Sequence, residues 1–142
     1  MNKLRLILGD QLNINHSWFK ENNSKTTYVM MEVKEETSYV LHHAQKIIAT
    51  FAAMRFFAEK LQQKGFDVIY FKINDKKNEQ SFYQNINKTI KEQNINELQY
   101  LEPDEFRLST ELKKLKSIKN IKIESVDTEH FLVPKFYAKD FF

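Results

Sequence analysis

The stretch Leu4-Arg5-Leu6-Ile7-Leu8-Gly9-Asp10-Gln11-Leu12 decides the fold class, because an apolar run of strand length stops at a glycine followed by a short acid. A run this dense needs cover on both faces, and a parallel sheet flanked by helices supplies it. Ligands of such open sheets sit beyond the carboxyl ends of the strands, where strand order reverses. Asp10 is expected there. Two readings of its carboxylate stand side by side: a ligand contact, or a cap on backbone donors in the turn after Gly9.

Working outward, strand-like runs at Leu4–Leu8, Thr27–Val33, Asp67–Lys72, Glu97–Leu101 and Ile121–Val126 alternate with helix-like segments, which argues an α/β fold. Right-handed crossovers would assemble them into a five-stranded, mostly parallel, Rossmann-like sheet. The strongest helix is expected from about His43 to Lys64, with Ile47, Phe51, Met54, Ala58 and Leu61 at helical spacing and Gly65 ending it in a left-handed turn. A second, Ser81 to Gln93, carries Phe82, Ile86 and Ile90 at four-residue steps, with Asn94 as its terminator. A third, around Thr110 to Leu115, rests on Leu112 and Leu115 alone.

Between Ile47 and Ala58 the long helix carries one charge, Arg55, so it is apolar nearly all round. Such a helix is covered on two sides. The sheet supplies one; the other calls for a neighbouring helix, a partner subunit, or a domain outside this chain. The closing residues Phe136 to Phe142 read as the start of an apolar segment that stops, either the stub of a further domain or a short terminal helix docking on this one.

A chain of 142 residues suits one domain with a real core. Its 42% hydrophobic content with 12 Phe and 6 Tyr excludes a disordered chain. The absence of cysteine excludes disulfides, thiolate zinc sites and iron–sulfur ligation within these residues, and it fits a cytoplasmic setting. No signal peptide or membrane span is read, since Asp10 and Arg55 interrupt the apolar stretches. The net charge of +3 says little about polyanions, because both signs are intermixed; Lys113, Lys114, Lys116, Lys119 and Lys122 read as a solvated face.

With only two glycines, Gly9 and Gly65, neither a dinucleotide fingerprint nor a phosphate-cradling loop can be built. That excludes a conventional Rossmann oxidoreductase and a P-loop NTPase. Asp10 lacks the second acid two residues on that a strand-end aspartate phosphatase needs, since Leu12 stands there. The segment Glu32 to His43 gathers acids, Tyr39, His42 and His43 at the end of the second strand, a plausible polar rim for a small aromatic ligand. It is a poor metal site, because adjacent histidines on a helix diverge by about 100°; their bland reading is a helix start with solvent contacts. Arg107, in Glu102-Pro103-Asp104-Glu105-Phe106-Arg107, either reaches an anion or pairs with Asp104 or Glu105. No catalytic constellation stands out.

The phrases Leu-Ile-Leu-Gly-Asp-Gln-Leu (6–12), Glu-Val-x-Glu-Glu-x-Ser-Tyr-Val-x-His-His (32–43) and Ala-Met-Arg-Phe-Phe-Ala-Glu-Lys-Leu (53–61) carry a resemblance to the amino-terminal part of the deoxyribodipyrimidine photolyase-related proteins. These are the bacterial iron–sulfur branch of the cryptochrome/photolyase family. Ser81-Phe82, Glu102 to Arg107 and Asp127 to Leu132 look like its later landmarks. The resemblance implies an α/β antenna domain over residues 1–132, with 133–142 beginning the connection to a C-terminal helical domain that holds FAD, the iron–sulfur cluster and damaged DNA. It implies a lumazine-type antenna chromophore between Gly9, Asp10, Gln11 and Leu12 on one side and Glu32, Glu36, Tyr39 and His42 on the other. Excitation would pass to reduced flavin, which donates an electron to a pyrimidine lesion. By that reading this chain alone repairs nothing, while the full-length protein is a DNA photolyase, a lyase that meets DNA only as a whole. The rival is a free-standing interaction or sensory module, a homodimer through the Ile47–Ala58 helix. A nucleotide-binding transferase ranks third, for want of a phosphate loop.

Overall fold

The computed structural model describes residues 2–9, 11–20, 24–33, 44–103 and 106–126, leaving aside the side chains of 44–46 and 106–109. Among the described residues five strands, β1 (Lys3–Leu6), β2 (Thr26–Met31), β3 (Asp67–Phe71), β4 (Glu97–Leu101) and β5 (Lys122–Val126), form one sheet in the order β3-β2-β1-β4-β5. Every pairing is parallel, so the expected mostly parallel sheet is wholly so. Among the described residues three helices flank it: α1 (Ala44–Gln63), α2 (Phe82–Gln93) and α3 (Phe106–Lys113).

Strand β2 is buried at all six positions because both faces are covered. Val29 and Met31 join Leu4, Leu6, Leu8, Leu98 and Tyr100 under Phe82, Ile86 and Ile90 of α2 and Leu112 of α3. Tyr28 and Met30 point the other way, to Ile7 and to Met54, Phe57, Ala58 and Leu61 of α1. The period-two alternation of the strands thus feeds two cores, one on each side of a three-layer domain. Each leucine or isoleucine enclosed this fully contributes about 1.5–3 kcal/mol.

The stop signals read from the sequence act as expected. Gly65 follows α1 at φ 92°, and Asn94 closes α2 at φ 52°, its backbone N–H returning to the Ile90 carbonyl. Ser81 caps α2 at its start, its hydroxyl accepting from Gln84 N. The third helix differs: it begins at Phe106, soon after Pro103, and ends at Lys113, from which a 3-10 turn over Lys114–Ser117 continues. Leu112 and Leu115 are buried as expected, but the tighter turn carries the second.

The β1–β2 connection is a crossover in which the only helical element among the described residues is a 3-10 turn, Ser17–Phe19. Nothing in the periodicity announced it. The buried His16 caps the turn, its Nδ1 accepting from Trp18 N at 3.0 Å. Trp18 then lies under the Arg5 guanidinium, 4.9 Å from the ring centroid, while the Tyr28 hydroxyl donates to the Trp18 carbonyl at 2.9 Å. The loop is therefore fastened to β1 and β2, and it completes the layer that α1 begins.

Among the described residues, no helix is long and apolar enough to cross a membrane.

Candidate functional site at the carboxyl edge of the sheet

Because all five strands run the same way, the segments that follow β1 and β2 emerge at one edge of the sheet. This is the edge where open α/β sheets take ligands. From β1 the chain moves outward to β2 and β3, then returns across β1 to lay β4 and β5 on the other side. Strand order thus reverses between β1 and β4.

Gln11 stands on that reversal. It is buried; its Oε1 accepts from Leu8 N at 3.1 Å and its Nε2 donates to the Leu101 carbonyl at 3.1 Å. The amide links the ends of β1 and β4, satisfying backbone groups that the ladder has left behind. Gly9, two residues earlier, lies beneath α1. A Cβ there would stand 3.0 Å from Thr50 Cγ2 and 3.1 Å from Met54 Sδ, so the missing side chain is what lets the helix come so close. Leu12, half-buried, packs into the core on the α1 side of the sheet.

Glu32, at the end of β2, is fully buried and holds the densest polar cluster on this edge. Arg55 of α1 grips it side-on, Nε donating to Oε2 at 2.7 Å and Nη2 to Oε1 at 2.8 Å. The Tyr70 hydroxyl of β3 donates to Oε2, and Ile73 N donates to Oε1 at 3.0 Å. The main chain is tied as well, Glu32 N donating to the Phe71 carbonyl and the Glu32 carbonyl accepting from Asn78 Nδ2 at 2.7 Å. Asn78 also donates to the Lys72 carbonyl and accepts from Asn85 Nδ2, so the β3–α2 connection is cross-braced against the end of β2.

Burial pushes the Glu32 carboxyl upward, but the hydrogen bonds from Arg55, Tyr70 and Ile73 N together with the Arg55 charge outweigh it and hold the group below its ordinary range. Burial and the bond to Glu32 raise the Tyr70 phenol. The bond to Glu32 raises Arg55. At neutral pH the cluster is a carboxylate, a guanidinium and a neutral phenol, each in the state its partners require.

Of the eight residues expected to line a pocket, the structure brings Gly9, Gln11, Leu12 and Glu32 to this edge. Asp10, Glu36, Tyr39 and His42 lie outside the described residues, as do His43, the Arg107 side chain and the segment 127–142. Gln11 and Glu32 have their polar atoms engaged within the fold, so they brace the edge. Arg55, Tyr70 and Asn78 were not among the expected site residues. A signal for Arg55 existed, since it is the lone charge between Ile47 and Ala58 of an apolar helix and Glu32 is the first acid after an apolar strand. Among the described residues no group of three or more His, Asp or Glu is placed to hold a metal ion.

A family model described as deoxyribodipyrimidine photo-lyase-related protein matches residues 5–142. A (6-4) photolyase of Agrobacterium fabrum (strain C58 / ATCC 33970) is 35% identical over 133 residues, which are 93% of this chain and 26% of that protein. The chain therefore spans about a quarter of the length of this relative.

Proposed function

The chain belongs to the deoxyribodipyrimidine photo-lyase-related protein family, and from that membership we propose that it is the antenna domain of a longer, photolyase-like protein of light-driven DNA repair. In this reading it holds a flat, lumazine-type chromophore at the carboxyl edge of its sheet, and a further domain carries FAD, the iron–sulfur cluster and the DNA site. The observation that supports the reading is the parallel β1–β2 pairing, which puts the end of β1, with Gly9, Gln11 and Leu12, at the same edge as Glu32 at the end of β2.

The described residues suit such a guest by their division of labour. Gly9 lets α1 pack close over the end of β1, which helps make the rim rigid, and the half-buried Leu12 leaves part of its apolar side chain at this edge. Gln11 and the Glu32–Arg55–Tyr70 cluster act as positioning groups, fixing the ends of β1, β2, β3 and β4 so that the loops start from a rigid rim. Asp10, which follows Gly9 directly, and Glu36, Tyr39 and His42, which follow Glu32, are the proposed direct contacts. When bound, the pigment would supply absorption of near-ultraviolet or blue light and transfer of excitation to reduced flavin. What this chain must do is hold it still and dry, and that requires rigidity at the rim and no nucleophile or proton shuttle.

Titration of a ribityl-lumazine into the purified chain, followed by fluorescence anisotropy, tests this. Saturable binding is expected, weak in the isolated chain and lost in Tyr39→Ala with the far-ultraviolet circular dichroism unchanged. Absence of saturable binding, both by this chain and by the longer polypeptide, would overturn the reading.

A further inference from the structure

Parallel neighbours are usually joined through a crossover helix, whereas the described part of the β1–β2 connection, residues 11–20, is a strap with only the turn Ser17–Phe19 in it. Leu12, Ile14, Trp18 and Phe19 of this strap pack with Ile7, Tyr28, Phe57 and Phe66 in the core shared with α1. The strap has little slack. Asn13 N donates to the Gln11 carbonyl at 3.0 Å, His16 N to the Asn13 carbonyl at 3.2 Å and Phe19 N to the His16 carbonyl at 3.0 Å, so hydrogen-bonded turns follow one another along it. At its first end Gln11 is fixed to the rim. At the other end stands Arg5. Its Nη1 donates to the Tyr28 hydroxyl at 2.9 Å and to the Trp18 carbonyl at 3.5 Å, its Nε donates to Gln99 Oε1 at 2.9 Å, and its guanidinium carbon lies 4.9 Å from the Trp18 ring centroid and 5.7 Å from that of Tyr28. The Tyr28 hydroxyl donates in turn to the Trp18 carbonyl at 2.9 Å; burial raises this phenol more than Arg5 lowers it, so it keeps the proton it shares. Each of these bonds ends on a neutral oxygen. Arg5 therefore serves as a clip between sheet and strap, through a planar fork that the point charge of a lysine does not reproduce.

We propose that Arg5 is a positioning residue for the chromophore: by clipping Trp18 to the sheet it holds the strap in place, and the strap in turn fixes Gln11 and Leu12 at the rim where the pigment lies. The inference rests on the reading that a lumazine-type chromophore occupies this edge. Gln11 has its own bonds to the ends of β1 and β4, but Leu12 follows it on the strap and is only half-buried, so its place depends on Ile14, Trp18 and Phe19 beneath the same layer. A rim that is ordered before its ligand arrives loses little further freedom on binding, and that preorganisation strengthens affinity without any direct contact. Arg5 thus acts on the site from within the strand, through packing and a chain of turns, while touching no part of the pigment.

Trp18 is the single tryptophan of the chain, so its fluorescence reports the strap directly. Acrylamide quenching of Trp18 and the Kd for a ribityl-lumazine, both measured on the purified chain and its variants, test the proposal. Arg5→Ala should make Trp18 several-fold more quenchable and raise the Kd about tenfold, the scale set by losing hydrogen bonds to a charged group, with the far-ultraviolet circular dichroism unchanged. Arg5→Lys, which keeps the charge without the fork, should recover little of either. Tyr28→Phe keeps the ring and removes the hydroxyl between Arg5 and the Trp18 carbonyl; it should shift both readouts the same way by a smaller factor, and it carries the test if Arg5→Ala does not fold. Ile86→Val trims the core on the opposite face of the sheet and should move neither readout. An unchanged Kd in a variant whose Trp18 has become more quenchable overturns the link from strap to site, and Trp18 equally protected in every variant overturns the clip. A rise in Kd for Ile86→Val equal to that for Arg5→Ala assigns the effect to general stability and overturns the positioning role. Failure of the unaltered protein to bind, both as this chain and as the longer polypeptide, overturns the chromophore reading and this inference with it.

Discussion

Arg55 closes on Glu32 through two parallel N–H to oxygen bonds of 2.7 and 2.8 Å, joining α1 to the end of β2 across 23 residues of sequence. The carboxylate is fully buried, while the Arg55 side chain keeps 43% of its exposure. The pair is thus anchored from the inside and open on the outside. With Tyr70 and Ile73 N, four donors converge on one carboxylate, and three elements of the carboxyl edge are held in one arrangement.

Arg55→Ala leaves the buried carboxylate with two donors in place of four. Because Arg55 is partly exposed and water can replace some of what it gave, the expected loss is about 1–3 kcal/mol, read from urea unfolding. Adding Glu32→Gln to that background should recover part of it, since a neutral amide tolerates burial better than an unpaired charge. Simple additivity of the two substitutions would show that the residues are not coupled.

The lowered carboxyl of Glu32 has a consequence for acid stability. Its folded value lies below its ordinary value of 4.5, so the folded state favours the ionised form and the unfolded state binds the proton first. The contribution is therefore complete above pH 4.5 and is lost as pH falls through the lowered folded value. Glu32→Gln should flatten the acid limb of a stability-against-pH curve measured by thermal unfolding, and leave the slope above pH 6 unaltered. An unchanged acid limb would count against the assignment.

Gly9→Ala forces a methyl against Thr50 Cγ2 and Met54 Sδ, at 3.0 and 3.1 Å. Overpacking of this kind costs about 1–3 kcal/mol. Thr50→Ser removes the nearer of the two contacts, so the double variant should be less destabilised than the sum of its parts. Chemical denaturation of the four proteins in the cycle gives the answer.

Phe56 and Phe57 are neighbours on α1 with opposite fates, 69% and 6% exposed. Phe57→Ala opens a cavity among Phe19, Tyr28 and Phe66 and should cost about 3–5 kcal/mol. Phe56→Ala in the isolated chain should stay within about 0.5 kcal/mol. Similar losses at both positions would mean that the helix is rotated from the orientation described.

Much of this architecture was legible residue by residue. The alternation of strand and helix, Gly65 as a left-handed stop and Asn94 as a terminator depend on contacts within a few positions, where sterics and hydrogen-bond geometry act directly. The late start expected for α3 missed its first turn because Pro103 and the acids after it read as loop, whereas the helix begins at Phe106. The turn around Trp18 left no periodic trace, since three residues are too few to show a period.

By itself, the sequence determined that this chain makes a parallel α/β sheet with a loop-bearing edge, and that its long helix is too apolar for one interface. Chain chirality and hydrophobic period act locally and leave few alternatives. Only the tertiary structure decided that β1 lies at the centre, that Gln11 bridges β1 to β4, and that Glu32 is braced by Arg55 and Tyr70 across 23 and 38 positions. Those partners meet because of strand order, which no short window of sequence contains.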